Sequence, residues 1–216
     1  MDIDFNISEK DVVNSVEKLR EIIDFPKPVF VDKEKEKLDL YTRQYIQLSP
    51  YMVMSSSDGK GMSDSSPRGG EPGFVSVVND HTLAIPDRPG NNRVDTLENI
   101  IHYSSVGLLF LIPGFSECLR VNGDAVISTN QALIDSFEFD GKKPSVVILI
   151  DIKQVYFHCS KAIIRSRLWQ PDSIVDRSIM PSLGEMLLNQ DGPGVSQEEV
   201  ESLEKLIESR IKTTLY

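Results

Sequence analysis

The chain has 216 residues, and its 23 Lys and Arg against 33 Asp and Glu give a formal net charge of −10 at pH 7. Residues 1–59 carry −4 and residues 171–216 carry −5, so residues 60–170 are nearly neutral at −1. A general nucleic-acid binder or a protein that docks on anionic lipid needs a basic face. We therefore expect neither nucleic acid nor a membrane among the partners.

The composition is that of a globular protein, with 40% hydrophobic and 26% charged residues. Its two cysteines, Cys118 and Cys159, cannot build a disulfide framework, which favours a reduced, cytoplasmic chain. No apolar run approaches the roughly 20 residues that span a bilayer. The first five residues lack the basic region of a signal peptide.

The first 50 residues are predicted to be helical. Ser8 and Asp11 resemble a capping box, and apolar residues at helical spacing predict a helix over residues 8–24. A second helix is predicted from about Asp32 to Leu48, and Ser49-Pro50 ends it.

Short strands separated by turn signals follow, which predicts a small antiparallel barrel. Asp58-Gly59 predicts a hairpin turn, and the apolar run Val106–Ile112 predicts a strand buried on both faces. The other predicted strands are Tyr51–Ser55, Phe74–Val78, Thr82–Ile85, Leu119–Ile127 and Ser145–Val155, with one helix at Asp95–His102.

The last 46 residues are predicted to be helical again. Ser182 with Glu185 and Ser196 with Glu199 are capping-box pairs ahead of apolar residues. The predicted organisation is a mainly β fold with α additions and one structural domain overall. It comprises an N-terminal helical segment packed on the barrel (1–50), the barrel (51–170) and a C-terminal helical extension (171–216).

The segment from Ile85 to Ile100 contains the strongest candidate for an anion site. A strand ends, a Pro- and Gly-rich loop turns, and a helix begins, so unpaired backbone N–H groups meet Arg88, Arg93 and two asparagines. This arrangement suits a phosphate monoester. The alternative is a structural turn with surface ion pairs, in which Asp95 caps the helix.

Two further segments carry weaker signals. Ser65–Gly70 is a small-residue loop with Arg68, whose glycines permit a close approach of the backbone to a ligand, or simply form a turn. His158–Trp169 collects Lys161, Arg165 and Arg167 in an acidic chain, which suits an anionic ligand or, alternatively, is a basic turn beside a core tryptophan. The histidines and cysteines show no spacing typical of a metal or of a catalytic dyad.

Five ordered segments together resemble one family. They are Ser66-Pro-Arg-Gly, Ile85-Pro-Asp-Arg-Pro-Gly-Asn-Asn-Arg, Leu108-Leu-Phe-Leu-Ile-Pro-Gly, Leu119-Arg-Val-Asn-Gly, and Phe157-His-Cys with Lys161-Ala and Arg165-Ser. This series resembles the pyridoxamine 5′-phosphate oxidase-like flavoproteins, and more narrowly their branch of probable FMN-dependent enzymes of unassigned reaction. The match covers about Leu38 to Trp169.

The resemblance implies an FMN-binding split β-barrel and a homodimer with FMN in clefts at the subunit interface. Residues of one subunit would border the flavin and its phosphate, and the segment at His158 would reach it from the other. The cofactor-binding residues so implied are Ser66, Pro67, Arg68, Ile85, Pro86, Asn91, Asn92, Arg93, His158, Cys159, Lys161, Arg165 and Trp169.

The resemblance stops short of the oxidases' substrate site, because the chain has no C-terminal Arg-x-His pattern and instead has an acidic segment at Ser196–Tyr216. We therefore expect an FMN-dependent oxidoreductase acting on an unidentified small molecule, and the missing pattern argues against pyridoxamine phosphate as that molecule. The alternatives are a non-catalytic flavin-binding or flavin-sensing module, and the same fold with a deazaflavin or haem. Because the cofactor carries the redox chemistry, no dedicated general base is expected from sequence.

Overall fold

The computed structural model describes residues 8–190, 192 and 194–216. The described residues before Lys35 form one compact unit, and Lys35–Tyr216 form a second. The predicted further division at residues 50 and 170 stays a prediction. No helix in the described part of the chain combines the length and apolarity that crossing a membrane requires.

The first unit contains a 3₁₀ turn at Glu9–Asp11 and two helices, α1 (Val16–Ile22) and α2 (Pro28–Val31). The predicted single helix over 8–24 is wrong. Ser8 and Asp11 do form a capping box, but they cap only the 3₁₀ turn. Ser15 then takes an extended conformation and its hydroxyl accepts a hydrogen bond from the Lys18 N–H, which starts α1.

The helices of the second unit are α3 (Leu40–Leu48), α4 (Asp95–His102), α5 (Gln131–Ser136), α6 (Lys161–Ser166), α7 (Leu183–Leu188) and α8 (Gln197–Thr214). Two single 3₁₀ turns lie at Pro171–Ser173 and Arg177–Ile179. Helix α3 begins eight residues later than predicted because Asp39 and Thr42 form a capping box. The predicted N-terminal caps of α7 at Ser182 and of α8 at Ser196 are confirmed.

Seven strands form one antiparallel sheet in the order β2-β1-β5-β6-β7-β4-β3. Their bounds are β1 (Tyr51–Ser57), β2 (Ser63–Gly69), β3 (Ser76–Asn79), β4 (Thr82–Asp87), β5 (Ser105–Leu111), β6 (Cys118–Ser128) and β7 (Val146–His158). The predicted fold class, a mainly β split barrel with α additions, is confirmed.

The core follows from the alternation of side chains along the strands. Alternate residues of β1 and β5 are buried, among them Met52, Met54, Leu108 and Phe110. Strand β5 is therefore buried on one face and half-buried on the other, not buried on both faces as its apolar run predicted. Helix α4 adds Ile100 to this core and α3 adds Ile46.

The sheet curls until its two ends approach each other. Strand β2 is at one end of the strand order and β4 is second from the other, yet Arg68 of β2 lies 3.6 Å from a carboxylate oxygen of Asp87 at the end of β4. No hydrogen-bonded ladder joins these two strands. The result is a barrel that is split between β2 and β4, and the candidate site lies at that split.

Candidate ligand-binding cleft

A cleft of about 830 Å³ opens at the split in the barrel. We call it the β2–β4 cleft. Its walls are the second half of β2 with the loop after it, the end of β4 with the loop leading to α4, the segment between α5 and β7, and Tyr216. Of the predicted site residues it contains Ser66, Pro67, Arg68, Pro86, Asn91, Asn92 and Arg93.

Arg68 forms the base of one wall. Residues 66–68 are part of strand β2 and not of a loop, so alternation turns Ser66 and Arg68 inward and leaves Pro67 exposed on the edge strand. One terminal nitrogen of Arg68 donates to the Ser66 hydroxyl and, at 3.1 Å, to the Pro67 carbonyl. Its Nε is buried and has no hydrogen-bond partner within the described part of the chain. Arg68 therefore has one donor to spare.

Asp87 faces Arg68 across the split. Burial raises the pKa of the Asp87 carboxyl, and the positive charge of Arg68 only partly offsets that rise. At 3.6 Å, the pair is an ion pair without a hydrogen bond of normal length. Asp87 is thus a half-desolvated carboxyl group inside the cleft.

The loop between β4 and α4 displays polar groups toward the same cleft. Asn92 has a φ of 61°, in the left-handed region that asparagine tolerates better than most residues. The Asn91 side chain accepts from the Arg93 N–H at 2.9 Å, which fixes the turn. Arg93 is 75% exposed and pairs with Asp95 at 2.9 Å. An ion pair this exposed contributes little stability, so an anionic ligand can replace Asp95 at little cost.

Helix α4 begins at this loop without a side-chain cap. Its N-cap is Val94, which has no side chain able to accept a hydrogen bond. Asp95 pairs with Arg93 instead of capping the helix, and the buried Thr96 donates to Asp64 of β2 at 2.7 Å. The alternative that Asp95 caps the helix is therefore wrong, whereas the surface ion pair that it also predicted is found between Arg93 and Asp95. The N-cap of α4 offers no side-chain acceptor to the first N–H groups of the helix.

Arg88 has a structural role. Its guanidinium donates to the carbonyl oxygens of Phe137 at 2.7 Å and Lys142 at 3.3 Å, and burial lowers its pKa. These bonds tie the β4–α4 loop to the segment before β7. Arg88 is therefore a support of the cleft wall and not a free cation.

Ile85 and the glycines Gly69 and Gly70 do not have the ligand-facing side-chain environment that the sequence predicted. The Ile85 side chain is fully buried in the core, so it can meet a ligand only through its backbone. A Cβ on Gly70 would lie 2.8 Å from Cβ of Phe74, and one on Gly69 would lie 3.3 Å from the Pro50 carbonyl oxygen. The absence of a Cβ at these two glycines therefore accommodates Phe74 and Pro50. The sequence prediction was that it would accommodate a ligand.

The remaining predicted residues lie elsewhere on the same chain. His158 and Cys159 are at the end of β7, and Lys161 and Arg165 are exposed one turn apart on α6. Neither cation has an ion-pair partner among the described residues. Strand β7 extends twelve residues from Val146, which lines the cleft, to His158, a path of about 40 Å at about 3.3 Å per residue. We call His158, Lys161 and Arg165 the α6 cluster.

Trp169 has a partner of its own. Its indole N–H donates to the Phe115 carbonyl at 2.8 Å, which ties the segment after α6 to the turn between β5 and β6. Phe115 in turn makes an edge contact with Tyr45.

Sequence reasoning missed Asp87, Phe139 and Tyr216 as cleft residues. The position of Asp87 between Pro86 and Arg88 was available as a signal, because a carboxylate at a buried strand end needs a cation nearby. Phe139 and Tyr216 are 77 residues apart in sequence and gave no such signal.

The chain belongs to the pyridoxamine 5′-phosphate oxidase family, whose model matches residues 41–159. No curated protein sequence matches it.

Several solved structures are similar. HupZ of Group A Streptococcus is 16% identical with a TM-score of 0.48, over 57% of this chain and 95% of HupZ. General Stress Protein 26 from Bacillus anthracis is 17% identical with a TM-score of 0.42, over 53% and 88%. The FAD binding protein from Mycobacterium smegmatis is 12% identical with a TM-score of 0.40, over 57% and 97%.

Proposed function

We propose that this protein is a homodimeric flavoprotein that binds FMN in the β2–β4 cleft and acts as an oxidoreductase on a small molecule. Family membership supports a ligand of this class. The observation that carries the proposal is that Ser66–Arg68 of β2 and Pro86 of β4 line the same cleft as the polar loop at Asn91–Arg93.

The donor set fits a flavin. The spare Nε of Arg68 suits a carbonyl oxygen or ring nitrogen of the isoalloxazine, and Pro86 offers apolar surface to a planar ring. At the other end, Arg93 and the uncapped start of α4 suit the phosphate dianion.

The charge balance of the cleft supports a phosphate position at Arg93. Five acidic residues line it, against three arginines. Two of the carboxylates nearest the loop are already engaged, Asp95 with Arg93 and Asp64 with Thr96. A phosphate at Arg93 would take the place of Asp95 and form a charge-assisted bond with the most exposed of the three cleft arginines.

The α6 cluster supports the homodimer. Arg68 and Phe157, next to His158, lie at the same level of the sheet with three strands between them, about 19 Å apart along the sheet. A second copy could therefore bring its α6 cluster to the cofactor that Arg68 contacts. Two unpaired cations on an exposed helix of an acidic chain also suit the anionic ligand of another subunit.

A bound flavin supplies reversible electron transfer. The residues of this chain would bind it, orient its ring between β2 and β4, and keep a half-buried carboxyl, Asp87, beside the guanidinium that faces the ring. A carboxyl with a raised pKa exchanges protons more readily near neutral pH than an ordinary aspartate does.

The phosphate assignment is tested by titrating the apo protein with FMN and with riboflavin, followed by fluorescence quenching. We expect FMN to bind more tightly, and Arg93→Ala to weaken FMN about tenfold or more by removing one charge-assisted bond, with little effect on riboflavin. Lys205→Ala, which removes an exposed cation from α8, is the matched control. Equal affinities of wild type and Arg93→Ala for FMN contradict the assignment.

The enzymatic part of the proposal has its own test. Anaerobic reduction of the loaded protein by NAD(P)H, with reoxidation by an added acceptor, favours the oxidoreductase. A flavin that no donor reduces favours the non-catalytic module instead.

A further inference from the structure

The last turns of α8 lie across one end of the β2–β4 cleft. The Arg210 guanidinium donates to the Gly90 carbonyl at 3.0 Å, directly before the Asn91–Arg93 loop. In the segment before β7, which Arg88 joins to the same loop, the Lys142 ammonium donates to the Thr213 carbonyl at 3.2 Å. The helix is thus bonded to two neighbouring segments at one end of the cleft.

Tyr216 extends this contact into the cleft itself. Its ring lies 4.4 Å from the Phe139 ring, tilted by 36°, and the Arg88 guanidinium carbon is 5.6 Å from its centre. Arg88 is held in turn by two carbonyl oxygens of the wall. The Tyr216 ring therefore occupies a defined position and lines the cleft.

We define the α8 clasp as Arg210, Thr213 and Tyr216. We propose that the α8 clasp closes the phosphate end of the cleft and makes the site select a flavin mononucleotide over a flavin dinucleotide. The proposal rests on the proposed function. The two ligands share the flavin ring and the first phosphate. They differ only in the second nucleotide of the dinucleotide, which would have to extend out of the cleft beyond that phosphate.

The position of Gly90 gives the physical reason. A ligand phosphate at Arg93 lies within a few residues of Gly90, and the carbonyl of Gly90 is covered by Arg210. The second half of a dinucleotide would have to displace Arg210 and the Tyr216 ring together, with the loss of one hydrogen bond and one aromatic contact. A mononucleotide ends before this point, so its binding would leave the Arg210 hydrogen bond and the Tyr216 ring contact in place. Selectivity then comes from a steric obstacle to the larger ligand.

The experiment is to measure the FAD and FMN dissociation constants for wild type and for the Arg210→Ala/Tyr216→Ala double variant. We expect the wild type to prefer FMN about tenfold or more, and the double variant to bring the two affinities within about threefold by gaining FAD affinity. Lys212→Ala is the matched control, because Lys212 is on the same helix and its one ion pair, with Glu208, is exposed and 4.0 Å long.

The outcomes separate the two proposals. Tight FMN binding with an unchanged FAD-to-FMN ratio in the double variant overturns the clasp alone, as does equal binding of both flavins by the wild type. Absence of binding of either flavin to the wild type overturns the proposed function and the selectivity with it.

Hydrogen exchange of residues 88–93 in the apo protein gives a readout without ligand. Exchange must accelerate in the double variant and not in Lys212→Ala, and unchanged exchange in the double variant overturns the clasp.

Discussion

Arg68 is the residue on which both the split barrel and the candidate site depend. It is the side chain that joins β2 to β4, it is mostly buried, and its one charge partner is a carboxyl whose pKa is raised by burial. A buried cation with a donor to spare costs free energy in the unliganded protein. A ligand that accepts from that donor recovers part of this cost.

Arg68→Met keeps most of the aliphatic stem and removes the charge. We expect it to destabilise the protein by about 1–3 kcal/mol, because Asp87 is left half-buried without a cation, and to weaken FMN about tenfold or more. Urea unfolding and flavin titration measure the two effects. In Arg68→Met/Asp87→Asn the stability should return toward wild type while FMN binding stays weak; stability unchanged by Arg68→Met alone contradicts the ion-pair role.

Tyr45 gives a prediction of pH dependence. It is buried between Phe115 and Phe157, its hydroxyl donates to the Glu117 carbonyl at 2.6 Å, and burial raises its pKa to about 12. Because the folded pKa exceeds the unfolded value of 10, its contribution to stability is complete below pH 10 and is lost as pH rises toward 12.

Urea midpoints measured at pH 8, 10 and 11 test this. At pH 8, Tyr45→Phe should be less stable than wild type by about 1 kcal/mol, the net value of one hydrogen bond. Above pH 10 the difference should shrink, because only the wild type must ionise a buried phenol. A difference that is constant across this range would show that Tyr45 does not titrate with a raised pKa.

Among the elements, the long pair β6 and β7 determines the shape of the sheet. The register shifts between Asn122 and Gly123, which places a bulge at the centre of the pair. A Cβ on Gly123 would lie 2.2 Å from the Asp151 carbonyl oxygen, closer than any real contact. The glycine is therefore required by the approach of the β7 backbone, not by its φ.

Gly123→Ala should destabilise the fold by about 1–3 kcal/mol or more, because the obstacle is backbone and cannot move aside. Gly90→Ala is the control, since a Cβ there meets nothing within 4 Å and its φ is ordinary. Thermal unfolding of both variants measures the effect. Equal melting temperatures of Gly123→Ala and wild type would rule out the close approach.

The elements that sequence reasoning located best are those with a local signal. Helix α4 lies at Asp95–His102 as predicted, and α7 and α8 begin at their predicted caps. The first two helices were predicted too long, since apolar spacing continues through Val12 and Leu38 whereas the capping side chains that start the helices come later. The hairpin turn at Asp58-Gly59 correctly predicted a strand after it, but residues 65–70 were predicted to be a loop because they are small and polar, and pairing with β1 extends β2 to Gly69.

At the scale of the molecule, the candidate site also combines residues that the sequence could predict with residues that it could not. The residues near Arg68 and Arg93 could be predicted together because the family resemblance joins segments that the fold brings to one cleft. The engagement of Arg88 with two carbonyl oxygens could not be predicted, since its partners are about 50 residues away. The contribution of α8 was equally hidden, because nothing local marks Arg210 or Tyr216 as neighbours of Gly90 and Phe139.

The α6 cluster lies outside the β2–β4 cleft of its own chain, which makes the oligomeric state a central question. We expect sedimentation to give twice the 24.3-kDa mass of the chain. In a mixed dimer with Lys161→Ala in one subunit, one of two FMN sites should weaken, because in the proposed dimer each site would take its α6 cluster from the other chain. Lys153→Ala, on an exposed position of β7, is the control; two sites of unchanged affinity in the Lys161→Ala mixed dimer contradict the shared site.

The most direct test of the flavin assignment is the visible absorption spectrum of the purified protein, with the mass of the small molecule it releases on denaturation. The account predicts a yellow protein with flavin absorption bands that releases FMN, or a colourless apo protein that acquires those bands and one FMN per chain when FMN is added. A haem spectrum, or a colourless protein that binds no added FMN, would contradict it.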